Sequence, residues 1–305
     1  MTAALLLALT LTAPPQARTF TFTYAAEVTG LPAGQTARVW VPVPPTDAEQ
    51  TVEVLEQTGP GTSKLTREAE YGNRIWYVEA APDANGTLKL SAKYKVTRRP
   101  AAAGKLDVPN VDRLLKPDKL VPIDGKPLAL IADRKLPANP VAKARALYDV
   151  VFRHMKYRKD LDGWGRGDAA WACDSKGGNC SDFHSLFISL ARSQELPARF
   201  EMGFGLPVEE GKGELGGYHC WARVKAGEAW LPADISEASK LGAKAGDYFG
   251  KLPPNRVLFS VGRDITLAPK QDGPPLNFFI YPYVEAGGAP HLANKVKVKT
   301  AFADE

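Results

Sequence analysis

The run Gly178-Asn179-Cys180-Ser181-Asp182-Phe183 reads as the start of a helix with a thiol in its first turn. Asn179 is a good N-cap, because its side-chain oxygen can accept from N–H groups that a helix start leaves unpaired. Behind it, Phe183, Leu186, Phe187, Leu190 and Ala191 recur at the spacing of one buried helical face. A thiol in that turn feels the free N–H groups and the positive end of the helix dipole, which favour thiolate over thiol. A cysteine packed as a small hydrophobe gives the same pattern, so the reading depends on what else the chain supplies.

Downstream, Gly217-Tyr218-His219-Cys220-Trp221-Ala222-Arg223-Val224 alternates like a strand, and Trp230-Leu231-Pro232-Ala233-Asp234 follows after Ala226-Gly227. A tight turn centred on Ala226 and Gly227 joins the two as a hairpin. That register sets Asp234 directly across from His219 on one face, with Cβ atoms roughly 4.5–5.5 Å apart. A loop from Lys225 to Glu228 keeps the pairing, whereas a one-residue slip turns Asp234 to the other face. An imidazole held by a carboxylate takes a thiol proton and stays oriented as it does so. Cys180, His219 and Asp234 therefore read as nucleophile, base and orienter.

At these residues the chain resembles the transglutaminase-like superfamily, a papain-related group ordered Cys, His, Asp. The likeness rests on Gly178-Asn179-Cys180-Ser181-Asp182-Phe183-His184-Ser185-Leu186, Leu196-Pro197-Ala198-Arg199-Phe200, Tyr218-His219-Cys220-Trp221 and Trp230-Leu231-Pro232-Ala233-Asp234. Within that group it is similar to exported bacterial proteins with an N-terminal β domain, through Ser260-Val261-Gly262-Arg263-Asp264-Ile265 and Asn277-Phe278-Phe279-Ile280-Tyr281-Pro282-Tyr283 as well. It covers about Phe20 to Glu285. The resemblance implies an α+β fold with the nucleophile helix packed on an antiparallel sheet, and a thioester intermediate with no metal or organic cofactor. It does not choose between crosslinking and hydrolysis of peptides or amides, because fold alone does not settle chemistry. In crosslinking relatives a tryptophan upstream of the cysteine donates its indole N–H to the oxyanion; Trp171 or Trp164 is the implied counterpart here. The backbone N–H of Cys180 is a second donor, pointing out of the helix start.

The length of 305 residues exceeds one usual compact core, so two domains are expected. A net charge of +5 with both signs interspersed, and no interleaved aromatic-basic stripe, argues against a nucleic-acid partner. The apolar run Ala3 to Leu11, followed by Pro14-Pro15-Gln16-Ala17, reads as a secretory signal segment over residues 1–18, and so as an exported, periplasmic or extracellular protein. That run is too short to span a membrane, which takes ~20 residues.

Residues 19–99 alternate with period two around Phe20, Val39 and Leu88, with turn signals at Leu31-Pro32, Tyr71-Gly72-Asn73 and Asn85-Gly86, and predict a β-sandwich-like domain. Residues 100–138, rich in proline, lysine and aspartate, read as a linker. Asn139-Pro140 opens a helix, with asparagine as cap and proline at the first helical position, and begins the transglutaminase-like catalytic domain, 139–285. The glycine-rich loop Asp160 to Gly178 is a candidate wall of a substrate cleft, with Trp164, Trp171, His184 and Tyr218 as substrate-binding residues.

Of three cysteines, Cys220 alternates with His219 and should point away from the site. Cys173 and Cys220 are open to two readings, a bridge or two inert thiols. A zinc site of Cys173, Cys180, His184, His219 and Cys220 lacks the paired spacings of structural zinc. Arg256–Leu267 and Leu276–Val284 are expected to extend the sheet that carries His219, and residues 286–305 to form an exposed edge strand or a frayed tail. Arg263-Asp264 reads as an ion pair or a turn. The expected activity is thiol-dependent acyl transfer on a peptide or protein substrate, hydrolytic before crosslinking. A binding module that retains the fold is the alternative.

Overall fold

The computed structural model describes residues 16–242 and 248–305. The expected signal run Ala3–Leu11 and Asp247 lie outside the described residues. Residues 16 and 17 precede the first strand, β1, which starts at Arg18, inside the span assigned to the leader.

Six strands form from the N-terminal third: β1 (Arg18–Val28), β2 (Ala37–Val43), β3 (Gln50–Thr58), β4 (Thr62–Arg67), β5 (Arg74–Ala80) and β6 (Leu88–Arg98). In β1 every second residue from Arg18 is buried, so Phe20, Phe22, Tyr24, Ala26 and Val28 face inward while threonines face out. Further along come β7 (Ala198–Gly205), β8 (Lys212–Leu215), β9 (His219–Ala226), β10 (Ala229–Ala233), β11 (Arg256–Val261), β12 (Tyr283–Ala286), β13 (Ala289–Pro290) and β14 (Val296–Asp304). Two five-stranded sheets, in orders β8-β14-β1-β6-β3 and β13-β12-β2-β5-β4, share one apolar core.

Residues 286–305 therefore do not fray: β14 pairs with β1 from Val296↔Val28 to Asp304↔Phe20, with β8 on its other side. Its Lys297 and Lys299 are the solvent face of a paired strand whose other face carries Val296, Val298, Thr300 and Phe302. Tyr283–Ala286 also leaves the expected place and joins β2. There Val284 is buried and Glu285 meets Arg38 at 3.2 Å, contacts the His219 sheet does not offer. Arg256–Val261 does extend that sheet, beside β7.

The second unit is an antiparallel four-stranded sheet in order β10-β9-β7-β11, with helices α1 (Pro140–His154), α2 (Ala169–Ser175), α3 (Cys180–Ser193) and α4 (Ile235–Leu241). Helix α3 is buried from Cys180 to Arg192, which makes it the axis of this unit. Aromatic contacts join the units: the Phe22 ring lies 5.3 Å from Phe204 and 5.4 Å from Phe259. The chain thus has a mixed α/β architecture, with α3 packed on the antiparallel sheet.

The β9–β10 hairpin corrects the expected register. Ala226 pairs with Ala229 and Ala222 with Ala233, so the turn holds Gly227 and Glu228, one residue later than expected. Gly227 takes φ 64°, the conformation a two-residue hairpin turn requires at its first central position and glycine supplies most readily. Moving the turn by one residue moves every pairing by two, which preserves the face. Asp234 accordingly stays on the His219 side although it no longer lies opposite it.

Candidate active site

Asn179 caps α3: its side chain accepts from Ser181 N at 2.9 Å, and Asp182 returns the favour by accepting from Asn179 N at 2.9 Å. The Asp182 carboxylate also accepts from Gly165 N at 2.7 Å and Gly167 N at 2.9 Å, pinning the glycine-rich loop to the helix start. Burial raises the pKa of Asp182 despite these donors. Gly178 has φ 142°, and a Cβ there would come within 2.4 Å of Asp182 Oδ2, so only glycine fits. The N–H groups of Ser181, Asp182 and Phe183 are taken by Asn179. The Cys180 N–H, in the first turn of α3, is not among the groups that Asn179 takes.

His219, the first residue of β9, gives its Nε2 to Asp234 Oδ2 at 2.7 Å. Its other nitrogen is thereby left toward Cys180, whose thiol helps to raise the imidazole. Asp234 is the N-cap of α4, and its Oδ1 accepts from Glu237 N at 3.0 Å and Ser236 Oγ at 3.1 Å. Arg256 Nη1 donates to Oδ2 at 3.0 Å, with its guanidinium over the Trp221 ring. His219 and Asp234 are in contact, and Cys180 lies near enough for it and His219 to shift each other's pKa.

The neighbouring Cys220 thiol and then the His219 imidazole hold the Cys180 thiol well below its ordinary pKa against the opposing effect of burial. Burial would lower His219, but the Asp234 carboxylate and then Cys180 outweigh it and push the imidazole up to about 9. Burial likewise opposes the Asp234 charge, and His219 and then Arg256 overcome it, keeping the carboxylate well below its usual range. Both shifts favour a thiolate beside an imidazolium.

Two side-chain placements depart from expectation. Cys220 does sit opposite His219 on its strand, but α3 packs over that face, so Cys220 meets the nucleophile instead of turning away. Its Sγ lies 3.8 Å from Ser181 Oγ and 3.7 Å from His184 Nδ1, and all three cysteines are free. His184 does not line a cleft: it is fully buried between α3 and α4. An open cleft of about 810 Å³ adjoins the site, lined in part by Tyr157, Tyr218, His219, Glu237, Lys240 and Arg256. Tyr218 OH contacts Asn179 Nδ2 and Ser181 Oγ, both at 3.1 Å. Trp164 is 39% exposed, while Trp171 is partly buried against the core with its indole nitrogen over Gly163.

Arg263 pairs with no carboxylate at Asp264; buried, it donates to Ser185 Oγ at 2.6 Å and Gly167 O at 2.9 Å, locking the loop onto α3. Arg256, Arg263 and Asp182 were not foreseen in these roles. The Asn-x-x-Asp spacing of a capping box was the one available signal, and it points to Asp182. Among the described residues, His219, Asp234 and Glu237 form the group with metal-ligating atoms within 4.8 Å of one another. Any cation there would compete for the Nε2 and Oδ2 that already bind each other.

A helix-borne thiol at the end of an antiparallel sheet, near a histidine held by an aspartate, is an arrangement suited to thiol chemistry. Residues 131–235 match the model of the transglutaminase-like superfamily. An uncharacterized protein of Haemophilus influenzae is 28% identical over 319 aligned positions, covering 89% of this chain and 86% of that protein. A crystal structure of a candidate cysteine protease from Cytophaga hutchinsonii superposes with a TM-score of 0.60 over 95% of this chain and 98% of its own. Its sequence identity of 14% makes this a likeness of fold.

Proposed function

We propose that this protein transfers acyl groups from peptide or glutamine amides through Cys180, His219 and Asp234, with water as the usual acceptor. The observation that carries the reading is the 2.7 Å bond from His219 Nε2 to Asp234, which leaves the other imidazole nitrogen free to serve Cys180. The Cys180 thiolate adds to the amide carbonyl carbon, and the Cys180 N–H faces the oxyanion that forms. The C–N bond then breaks as His219 gives its proton to the leaving nitrogen, and a thioester remains. Water adds to the thioester and passes a proton back to His219. The C–S bond breaks, releasing the acid and restoring the thiolate–imidazolium pair. Tyr218, on the wall of the cleft, is the residue expected to meet a bound peptide, whereas Trp164 does not line that cleft.

Export to the periplasm or beyond, where cell-wall peptides are met in abundant water, is the setting this reading favours; among the described residues no helix is long and apolar enough to cross a membrane. The test is turnover of a peptide-amide and glutaminyl-peptide library, with mass spectrometry of the Cys180 peptide after rapid acid quench. An acyl adduct on Cys180 that Cys180→Ala abolishes is the expected result. Turnover that survives Cys180→Ala overturns the proposal.

A further inference from the structure

We infer that His184 is a positioning residue for this reaction, a neutral imidazole strut that sets the spacing between the nucleophile helix and the start of α4. The inference rests on the triad reading above. His184 is fully buried, one helical turn beyond Cys180. Its Nδ1 lies 2.8 Å from the Cys180 carbonyl oxygen, and its Nε2 lies 3.1 Å from the Ile235 backbone nitrogen.

These two partners determine the tautomer. A carbonyl only accepts, so Nδ1 carries the proton; a backbone N–H only donates, so Nε2 carries none. Burial disfavours a charge on this ring, in keeping with that state. Ile235 opens α4, so its N–H is one of the donors a helix start leaves without a partner. Asp234, the cap, already takes the Glu237 N–H, and His184 takes that of Ile235. The ring thus spans from the backbone of the nucleophile to the backbone that follows the orienting carboxylate. Asp234 Oδ1 lies 3.7 Å from Nε2 and Cys220 Sγ 3.7 Å from Nδ1, so the same ring also packs against both of the groups that tune the thiol. With its lone pair engaged and no exposure, His184 is not a second base.

Two polar variants separate this role from packing. In His184→Gln the side-chain carbonyl reaches the Nε2 position and can still accept from Ile235. In His184→Asn the shorter amide reaches only the Cys180 carbonyl. The measurement is the iodoacetamide alkylation rate of the Cys180 peptide from about pH 5 to 9, on the full chain, with thermal melting as a check on the fold. We expect His184→Gln to stay within about 3-fold of the wild type near pH 6.5 and His184→Asn to fall by about 10-fold or more, since small displacements at a reacting centre have effects of that order. Equal rates in the two variants, high or low, overturn the strut while leaving the reaction standing. A wild-type Cys180 that titrates like an ordinary thiol, with a pKa of about 8.5, overturns the reaction and the strut with it.

Discussion

Asp234 and Glu201 are both completely buried carboxylates of the same sheet unit, yet they hold opposite kinds of company. Glu201 accepts from Arg199 Nε at 2.8 Å, from Arg223 Nε at 2.9 Å and from the Trp221 indole. Arg223 continues to Glu49, which also meets Arg98 at 3.1 Å, so the cluster bolts the four-stranded sheet to the N-terminal strands. Every cation in it is an arginine, whose charge does not move at any working pH. Asp234 has one arginine, Arg256, but its other charged partner is His219, which is 12% exposed and can pass a proton on. The same buried negative charge therefore fastens two units in one place and, in the proposed reaction, orients a transferable proton in the other. The identity of the cation decides which.

Neutralising each carboxylate should expose that difference. Asp234→Asn leaves the shape but offers His219 an amide, which no longer selects the tautomer or supports the imidazolium. Acylation of Cys180, followed by quenched-flow mass spectrometry, should slow by about 10⁴-fold. A loss below about 10-fold would mean that Arg256 and Asp234 serve only structure. Glu201→Gln should behave the other way. It strands arginines without their counter-charge, so unfolding free energy from urea titration should drop by about 3–5 kcal/mol while the folded fraction keeps its acylation rate. A variant that lost activity at full stability would erase the contrast.

The two clusters also predict opposite limbs of stability against pH. Opposed by burial but overcome by Arg223 and Arg199, Glu201 is held down at about 2, below an unfolded value of about 4.3. Its contribution is present above about pH 4.3 and is lost as pH falls through about 2, amounting to about 3 kcal/mol. His219 is held up at about 9, above an unfolded value of about 6.5. Its contribution is complete below about pH 6.5 and is lost as pH rises through about 9. Denaturant titrations of the wild type and Glu201→Gln should converge toward the acid end, and those of the wild type and His219→Ala toward the alkaline end. Activity should fall on the alkaline limb near about 9 as the imidazolium is lost.

Much of the Asp234 cluster was legible in the sequence, and the reason is parity. A strand repeats every two residues, so a turn misplaced by one residue shifted the pairing by two and still left Asp234 on the His219 face. The cap at Asn179 and the buried stripe behind Cys180 are local, and local signals survive without a fold. What could not be read lies across long separations. Arg256 is 22 residues from Asp234, and Arg223 is 174 from Glu49; charge alone does not say which carboxylate an arginine will meet. Alternation told which face Cys220 takes but not which face α3 would cover, so its approach to the nucleophile stayed hidden. Likewise the lysine alternation at 295–299 reads equally as a free edge or a paired strand until β1 is known to lie beside it.

The mildest test concerns the rim of the site, where the contrast between fastening and chemistry is least sharp. The Tyr218 ring packs against Phe278 at 5.8 Å and Tyr281 at 6.1 Å, while its hydroxyl contacts Asn179 and Ser181 on either side of the nucleophile. In Tyr218→Phe the ring contacts remain and only those hydroxyl bonds go. If the hydroxyl merely steadies the helix start, stability should fall by about 0.5–1.5 kcal/mol, with kcat/KM reduced less than about 10-fold. A loss of about 100-fold in kcat with KM unchanged would instead mean that the hydroxyl reaches the oxyanion in the transition state. Tyr218 would then belong with His219 among the groups that touch the reacting atoms, and the Cys180 N–H would not be working alone.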